Sequence, residues 1–187
     1  MKFDYNIDKI RECPISEENK FNGILINVGH MKVTLPNGKT SMREIVHHNG
    51  AAAVVPVDEE GNVYLVIQHR IAVDQVTIEI PAGKLDSPNE DPFLCAKREL
   101  TEETGLVAAQ WEKLSHVLTT PGFCTETIGL YLATGLTQHE AHLDPDEFLN
   151  LIKMPLTDAI DLISQGKITD AKTIAGLLMA QNKLLRG

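Results

Sequence analysis

Positive charge is scarce in this chain: 17 Lys and Arg stand against 26 Asp and Glu among 187 residues, a formal net charge of −9. A surface of that sign repels a phosphate backbone, so general nucleic-acid binding is not expected. A polyanionic substrate would need metal ions or a local cluster of arginines. Cysteine is sparse as well. Cys13, Cys95 and Cys124 lie far apart with no CxxC, which excludes a zinc knuckle and a disulfide frame and suits a reducing compartment. No apolar run reaches the roughly 18 residues of a membrane helix. The N-terminal MKFDYNIDKIREC is charged throughout and lacks the apolar centre of a signal peptide. A cytoplasmic protein with no membrane association is the expectation. A single tryptophan, Trp111, argues against an aromatic cage and reads as core. Hydrophobic residues make up 43% and charged residues 23%, an ordinary globular mix, which excludes long disorder.

Strand signals come first along the chain. Phe21-Asn22-Gly23 and Pro36-Asn37-Gly38 are turns within a strand-rich region of residues 1–45. Ala51–Val57 is a mostly apolar run that suits a buried strand. Strands are also expected at 63–69, 76–80, 116–118, 128–133 and 147–152. Between them the period changes. Asp91-Pro92 reads as an N-cap with proline at the first helical position, Phe93, Ala96 and Leu100 share a helical face, and Gly105 is the stop. Further helices are expected at about 157–165 and 171–185, the last capped by Thr169 or Asp170. A helix lying between strands favours an α/β/α sandwich on a mixed sheet.

The chemistry concentrates in GKLDSPNEDPFLCAKRELTEETGL, Gly83 to Leu106. Glu99, Glu102 and Glu103 stand at i, i+3 and i+4 and project from one helical face. Like charges so spaced destabilise a helix by about 0.2–0.5 kcal/mol per pair. Binding a hard divalent cation, which takes carboxylate oxygens, turns that cost into a use. On the three glutamates alone, a solvated acidic face with Lys97 and Arg98 nearby is the favoured reading.

The wider pattern resembles the Nudix box. Arg98-Glu99-Leu100-Thr101-Glu102-Glu103-Thr104-Gly105-Leu106 is similar to its REUxEExGU core, where U is bulky and aliphatic. Glu90 lies seven intervening residues before Arg98, as in the box, and Gly83 opens it with one residue more than the family spacing before Glu90. Other segments resemble the ADP-ribose pyrophosphatase branch: Ile78–Asp86 its E-[LI]-PAGK segment, Thr120-Pro121-Gly122-Phe123 its proline loop, Asp146-Glu147-Phe148 its late acidic segment, and Gly166–Ile174 its DAKT terminus. The resemblance spans about residues 43–180. It implies a Nudix-type α/β/α sandwich over 46–187, with residues 1–45 as a strand region that forms a homodimer.

It also implies Mg²⁺-dependent hydrolysis of ADP-ribose to AMP and ribose 5-phosphate, with Mn²⁺ as a substitute metal. The alternatives are another nucleoside diphosphate sugar, a dinucleotide, or a non-catalytic ADP-ribose-sensing module. By the family pattern Glu99, Glu103 and the Ala82 carbonyl hold metal, and Glu102 shares a metal or orients its water. Arg98 pairs with a box glutamate, Glu90 foremost. Glu147 is the expected base or a more distant metal partner, with Asp144 and Asp146 beside it. Arg70 is the expected phosphate contact, Glu79 the acceptor for a ribose hydroxyl or adenine amine, and Arg43 and Pro121 the contacts that bound the substrate. His47, His48 and His116 show no metal-ligand spacing, and Cys95 reads as a packing residue.

Overall fold

The structure, a computed structural model, describes residues 5–141 and 148–186. Two compact units divide the chain: residues 1–48 with 120–126, and residues 49–119 with 127–187.

The first unit holds a short 3₁₀ turn and an antiparallel sheet of β1 (Cys13–Asn22), β2 (Asn27–Thr34) and β3 (Thr40–His47), in that order. Asn37-Gly38 turns β2 into β3, with Gly38 at φ +80 and its N–H donating to Leu35 O. Residues 120–126 run along β3: Val46 N–H donates to Phe123 O at 2.7 Å and Thr125 N–H to Val46 O at 2.9 Å. Every residue of β1 is exposed. Among the described residues of this unit, Val33 is the one buried hydrophobic side chain.

The second unit is built on β4 (Ala51–Pro56), whose mostly apolar run is buried on both faces. It pairs antiparallel with β7 (Ala82–Lys84) and parallel with β9 (Thr127–Gln138), and β8 (Leu106–Leu118) closes the sheet in the order β7-β4-β9-β8. A second sheet runs β10-β5-β6, from β5 (Asn62–Arg70), β6 (Gln75–Glu79) and β10 (Leu149–Pro155). The period of two splits the side chains of β4. Ala52 packs with Cys95 and Ala96, and Val54 with Leu100, all from α1 (Pro92–Thr104). Ala53 and Val55 pack in a cluster with Leu156 and Ala159 of α2 (Leu156–Ser164) and Leu177 and Ala180 of α3 (Ala171–Leu184). Helices thus cover both faces of a mixed sheet, the expected α/β/α sandwich. Burying a side chain such as Leu100 or Leu177 contributes about 1.5–3 kcal/mol.

Local chemistry sets the helix ends as expected. The Asp91 carboxylate accepts from Phe93 N–H at 2.9 Å, Pro92 occupies the first turn, and Gly105 ends α1 at φ 69. Asp170, rather than Thr169, caps α3 by accepting from Thr173 N–H at 2.9 Å. Two differences stand out. β8 begins at Leu106, some ten residues before the expected strand, because Gln110, Glu112 and Lys113 break its apolar alternation on an edge strand. The last strand begins at Leu149, and Glu147, Asp144 and Asp146 lie outside the described residues.

Candidate active site

Helix α1 lies against β4 with its glutamates toward β7. Glu99 is 6% exposed and Glu103 4%, unusual burial for ionisable groups. Gly83 explains how Glu99 gets there: a Cβ on that residue would overlap the Glu99 carboxylate, so only glycine leaves room for it. The Glu103 carboxylate accepts from Ala82 N–H at 3.0 Å. Two carboxylates one helical turn apart are therefore laid along the backbone of Ala82 and Gly83.

Arg98 crosses this face. Its Nη1 donates to Glu99 at 2.7 Å and to Glu102 at 3.0 Å, and its Nη2 lies 3.6 Å from Glu90 and 3.8 Å from Asp86. The expected partner was Glu90, but Glu99 and Glu102 lie nearer, because they share a helix with Arg98. Glu90 instead accepts from Asp86 N–H at 2.6 Å and closes the loop that carries the extra residue. Burial works against the charge on Arg98, and the surrounding carboxylates, Glu99 foremost, outweigh it and raise its pKa. One guanidinium among four carboxylates leaves a surplus of negative charge.

Among the described residues, no three His, Cys, Asp or Glu side chains are gathered tightly enough to hold a metal by themselves. The Gly83 cradle and the chemistry of the donors nonetheless fit a hard divalent cation. The donors are oxygens, two carboxylates are buried side by side, and the adjoining backbone supplies carbonyls.

A second charged cluster sits at the end of β6 and is matched in charge. Glu79 is 2% exposed. Arg70 donates to it twice, Nε to Oε1 and Nη2 to Oε2, each at 2.8 Å. Lys172 and the Thr77 hydroxyl bond the same carboxylate. Burial opposes ionisation of Glu79, but the Arg70 hydrogen bonds, the Lys172 charge and the Thr77 hydroxyl prevail and hold its pKa at about 2. Glu79, the expected acceptor for a ribose hydroxyl or adenine amine, thus has Arg70, Lys172 and Thr77 as its protein partners. Both of its oxygens are engaged and it is almost wholly covered. Arg70, expected to meet a phosphate, meets Glu79 first, with its side chain still 44% exposed. Sequence reasoning missed Lys172 and Asp170 as members of this cluster, and the signal available was the DAKT segment.

Arg43 and Pro121 belong to the first unit. Arg43 pairs with Glu12 and lines a cavity of about 400 Å³ with His30, Met42, Glu44, Gly122 and Phe123. His47 and His48 pair with Glu17 and Glu126. Cys95 is buried in the core, where burial first and Glu99 second push its thiol up to about 12, which suits a packing residue. Trp111 packs edge-on to Phe93 at 5.5 Å, a core contact.

A buried glutamate pair on a capped helix, cradled by glycine and packed on a mixed sheet, defines a class, and comparison with known proteins gives the same class. The NUDIX domain model matches residues 47–177, and the chain belongs to that family. Two bacterial relatives match over most of both chains. A methanol dehydrogenase activator of Bacillus methanolicus is 43% identical over 91% of this chain and 92% of its own. An ADP-ribose pyrophosphatase of Bacillus subtilis is 40% identical over 93% and 95%. Among solved structures, an ADP compounds hydrolase shares the fold at a TM-score of 0.82 and 20% identity, covering 94% of this chain and 95% of that one.

Proposed function

We propose that this chain is a divalent-metal-dependent pyrophosphatase that cleaves ADP-ribose to AMP and ribose 5-phosphate. The observation that carries the reading is the pair of buried carboxylates, Glu99 and Glu103, laid against the Ala82-Gly83 backbone. The pyrophosphatase relative at 40% identity supports the choice of substrate. Glu99, Glu103 and the Ala82 carbonyl would hold the metal, Mg²⁺ with Mn²⁺ as a substitute, and Glu102 would share it or orient its water. Such a cation neutralises phosphate charge and activates water for in-line attack on the P–O–P bond. The protein's own part is positional. Arg98 keeps Glu99 and Glu102 from splaying apart, Ala82 N–H orients Glu103, and Glu79 holds Arg70 as a preset fork for a substrate phosphate. Glu147 is the proposed base.

Pro121 is the proposed determinant of the sugar end, and Arg43 a proposed contact to the diphosphate. Proline stiffens its loop, and the space around Gly122 is open. Residues 1–45 are proposed as the dimerisation element, and residues 46–187 as the catalytic domain. Exposed Ile10, Ile15, Phe21, Ile24 and Leu25, in a unit with a single buried hydrophobic side chain among its described residues, support a second copy as the cover. Full activity from a monomer in sedimentation at micromolar concentration contradicts that assignment.

The test of function is a hydrolysis panel with Mg²⁺, comparing ADP-ribose, other diphosphate sugars, dinucleotides and nucleoside triphosphates. At least tenfold preference in kcat/KM for ADP-ribose over ATP or dGTP is expected, roughly 1.4 kcal/mol in transition-state binding. Equal use of a triphosphate overturns the substrate while leaving the metal chemistry in place. The activator relative adds a second reading, a role in activating a dehydrogenase, which a dinucleotide arm and a dehydrogenase assay resolve.

A further inference from the structure

Residues 79–82 lead directly into the proposed metal-binding backbone, and they are tied down by a helix 93 residues away. Thr173, fully buried in the first turn of α3, accepts from Ile80 N–H through Oγ1 at 2.9 Å. Its hydroxyl donates in turn to the Asp170 carboxylate at 2.6 Å, and the same carboxylate accepts from Thr173 N–H. Lys172 joins Asp170, at 3.0 Å, to Glu79. On the other side, Pro81 O accepts from Val54 N–H at 2.9 Å, which fixes the segment to β4. Consecutive residues are thus held from two directions: Glu79 and Ile80 by α3, Pro81 by the central strand. Ala82 follows with no free residue between, and its N–H sets Glu103.

We propose that Asp170, Lys172 and Thr173 form a clamp that positions the Ala82 carbonyl and the Glu103 carboxylate for the metal. They are positioning residues, acting through the 79–82 backbone. The proposal rests on the reading of Ala82 and Glu103 as metal ligands. The physical case is one of precision. A small hard cation demands near-ideal placement of its oxygens. A hydroxyl that both accepts from the backbone and donates to a cap fixes the strand end, whereas apolar packing alone lets it slide. Groups that orient ligands in this way commonly change metal affinity 10–100-fold when removed.

The test uses Thr173→Val, which keeps shape and loses the hydroxyl, and Thr173→Ser, which restores it. Mn²⁺ affinity is measured by electron paramagnetic resonance on the full chain, alongside melting temperature and amide exchange at Ile80 and Ala82. Thr173→Val is expected to stay folded, exchange faster at both amides, and bind Mn²⁺ about tenfold more weakly. Thr173→Ser is expected within about twofold of wild type. Lys172→Met serves where Thr173→Val does not fold. Glu103→Gln separates the two levels. If Glu103→Gln leaves Mn²⁺ affinity intact, the metal reading fails and the clamp falls with it. If Glu103→Gln weakens binding while Thr173→Val and Lys172→Met bind Mn²⁺ as wild type does, the metal reading stands and the clamp is overturned.

Discussion

Glu79 and two glutamates of α1, Glu99 and Glu103, are buried to a similar degree, and their surroundings treat them in opposite ways. Glu79 receives Arg70 and Lys172, two cations on one carboxylate. Around Arg98 the ratio inverts, with Asp86, Glu90, Glu99 and Glu102 all within 4 Å of a single guanidinium. A buried charge that is fully matched within the chain is a structural joint. Removing one partner strands the others, and no further ion is required. The carboxylates around Arg98, from buried Glu99 to largely exposed Asp86, outnumber the guanidinium, and a divalent cation from solution is proposed to meet that surplus. Burial alone does not distinguish the two; the local ratio of charges does.

Changing Glu79 gives the sharpest contrast. Glu79→Gln leaves the buried Lys172 beside a neutral amide, and breaking a buried pair of this kind costs about 3–5 kcal/mol. Chemical denaturation should show that loss, and a variant as stable as wild type would break the comparison. Glu103→Gln should do the reverse, keeping the fold and losing about 10²–10³ in kcat, the scale of electrostatic contributions to a transition state. Wild-type turnover at saturating Mg²⁺ would contradict it.

Acid sharpens the same point. The folded pKa of Glu79, about 2, lies below its ordinary value of 4.5. Its stabilisation is therefore complete above about pH 4.5 and is lost as pH falls toward 2. The stability profile of Glu79→Gln should be flatter than wild type across that window; parallel profiles would show that Glu79 is not the group responsible. The smallest effect is expected at Asp86, whose side chain is 71% exposed and 3.8 Å from Arg98. Asp86→Asn should change stability by no more than about 0.5 kcal/mol, at the low end for surface pairs.

The two clusters also differ in how far the sequence reveals them. The α1 face is written in one stretch, with Asp91-Pro92 to start the helix, Gly105 to stop it, glutamates at i, i+3 and i+4, and Gly83 close by in sequence. Local rules suffice for it. The Glu79 cluster joins residues 93 positions apart, and nothing local to Glu79 announces Lys172. Read singly, Arg70 and Glu79 look like strand-end groups available to a ligand; only the pairing of β5 with β6 and the docking of α3 show them to be partners. The strand shortened in the sequence reading, β8, is an edge strand rich in polar residues, and so is β1, which was legible only as part of a strand-rich region. Their register is set by neighbours rather than by an alternating core face, so the period of two is blurred. The central strand β4, buried on both sides, was legible for the opposite reason.

The carboxylate excess on α1, and not the matched cluster at Glu79, is the proposed site for a divalent cation. Anomalous scattering from crystals grown with Mn²⁺ tests it most directly. An anomalous peak is expected within coordination distance of the Glu99 and Glu103 carboxylates and the Ala82 carbonyl; a peak at Glu79, or none near α1 with the metal at saturating concentration, would contradict that placement.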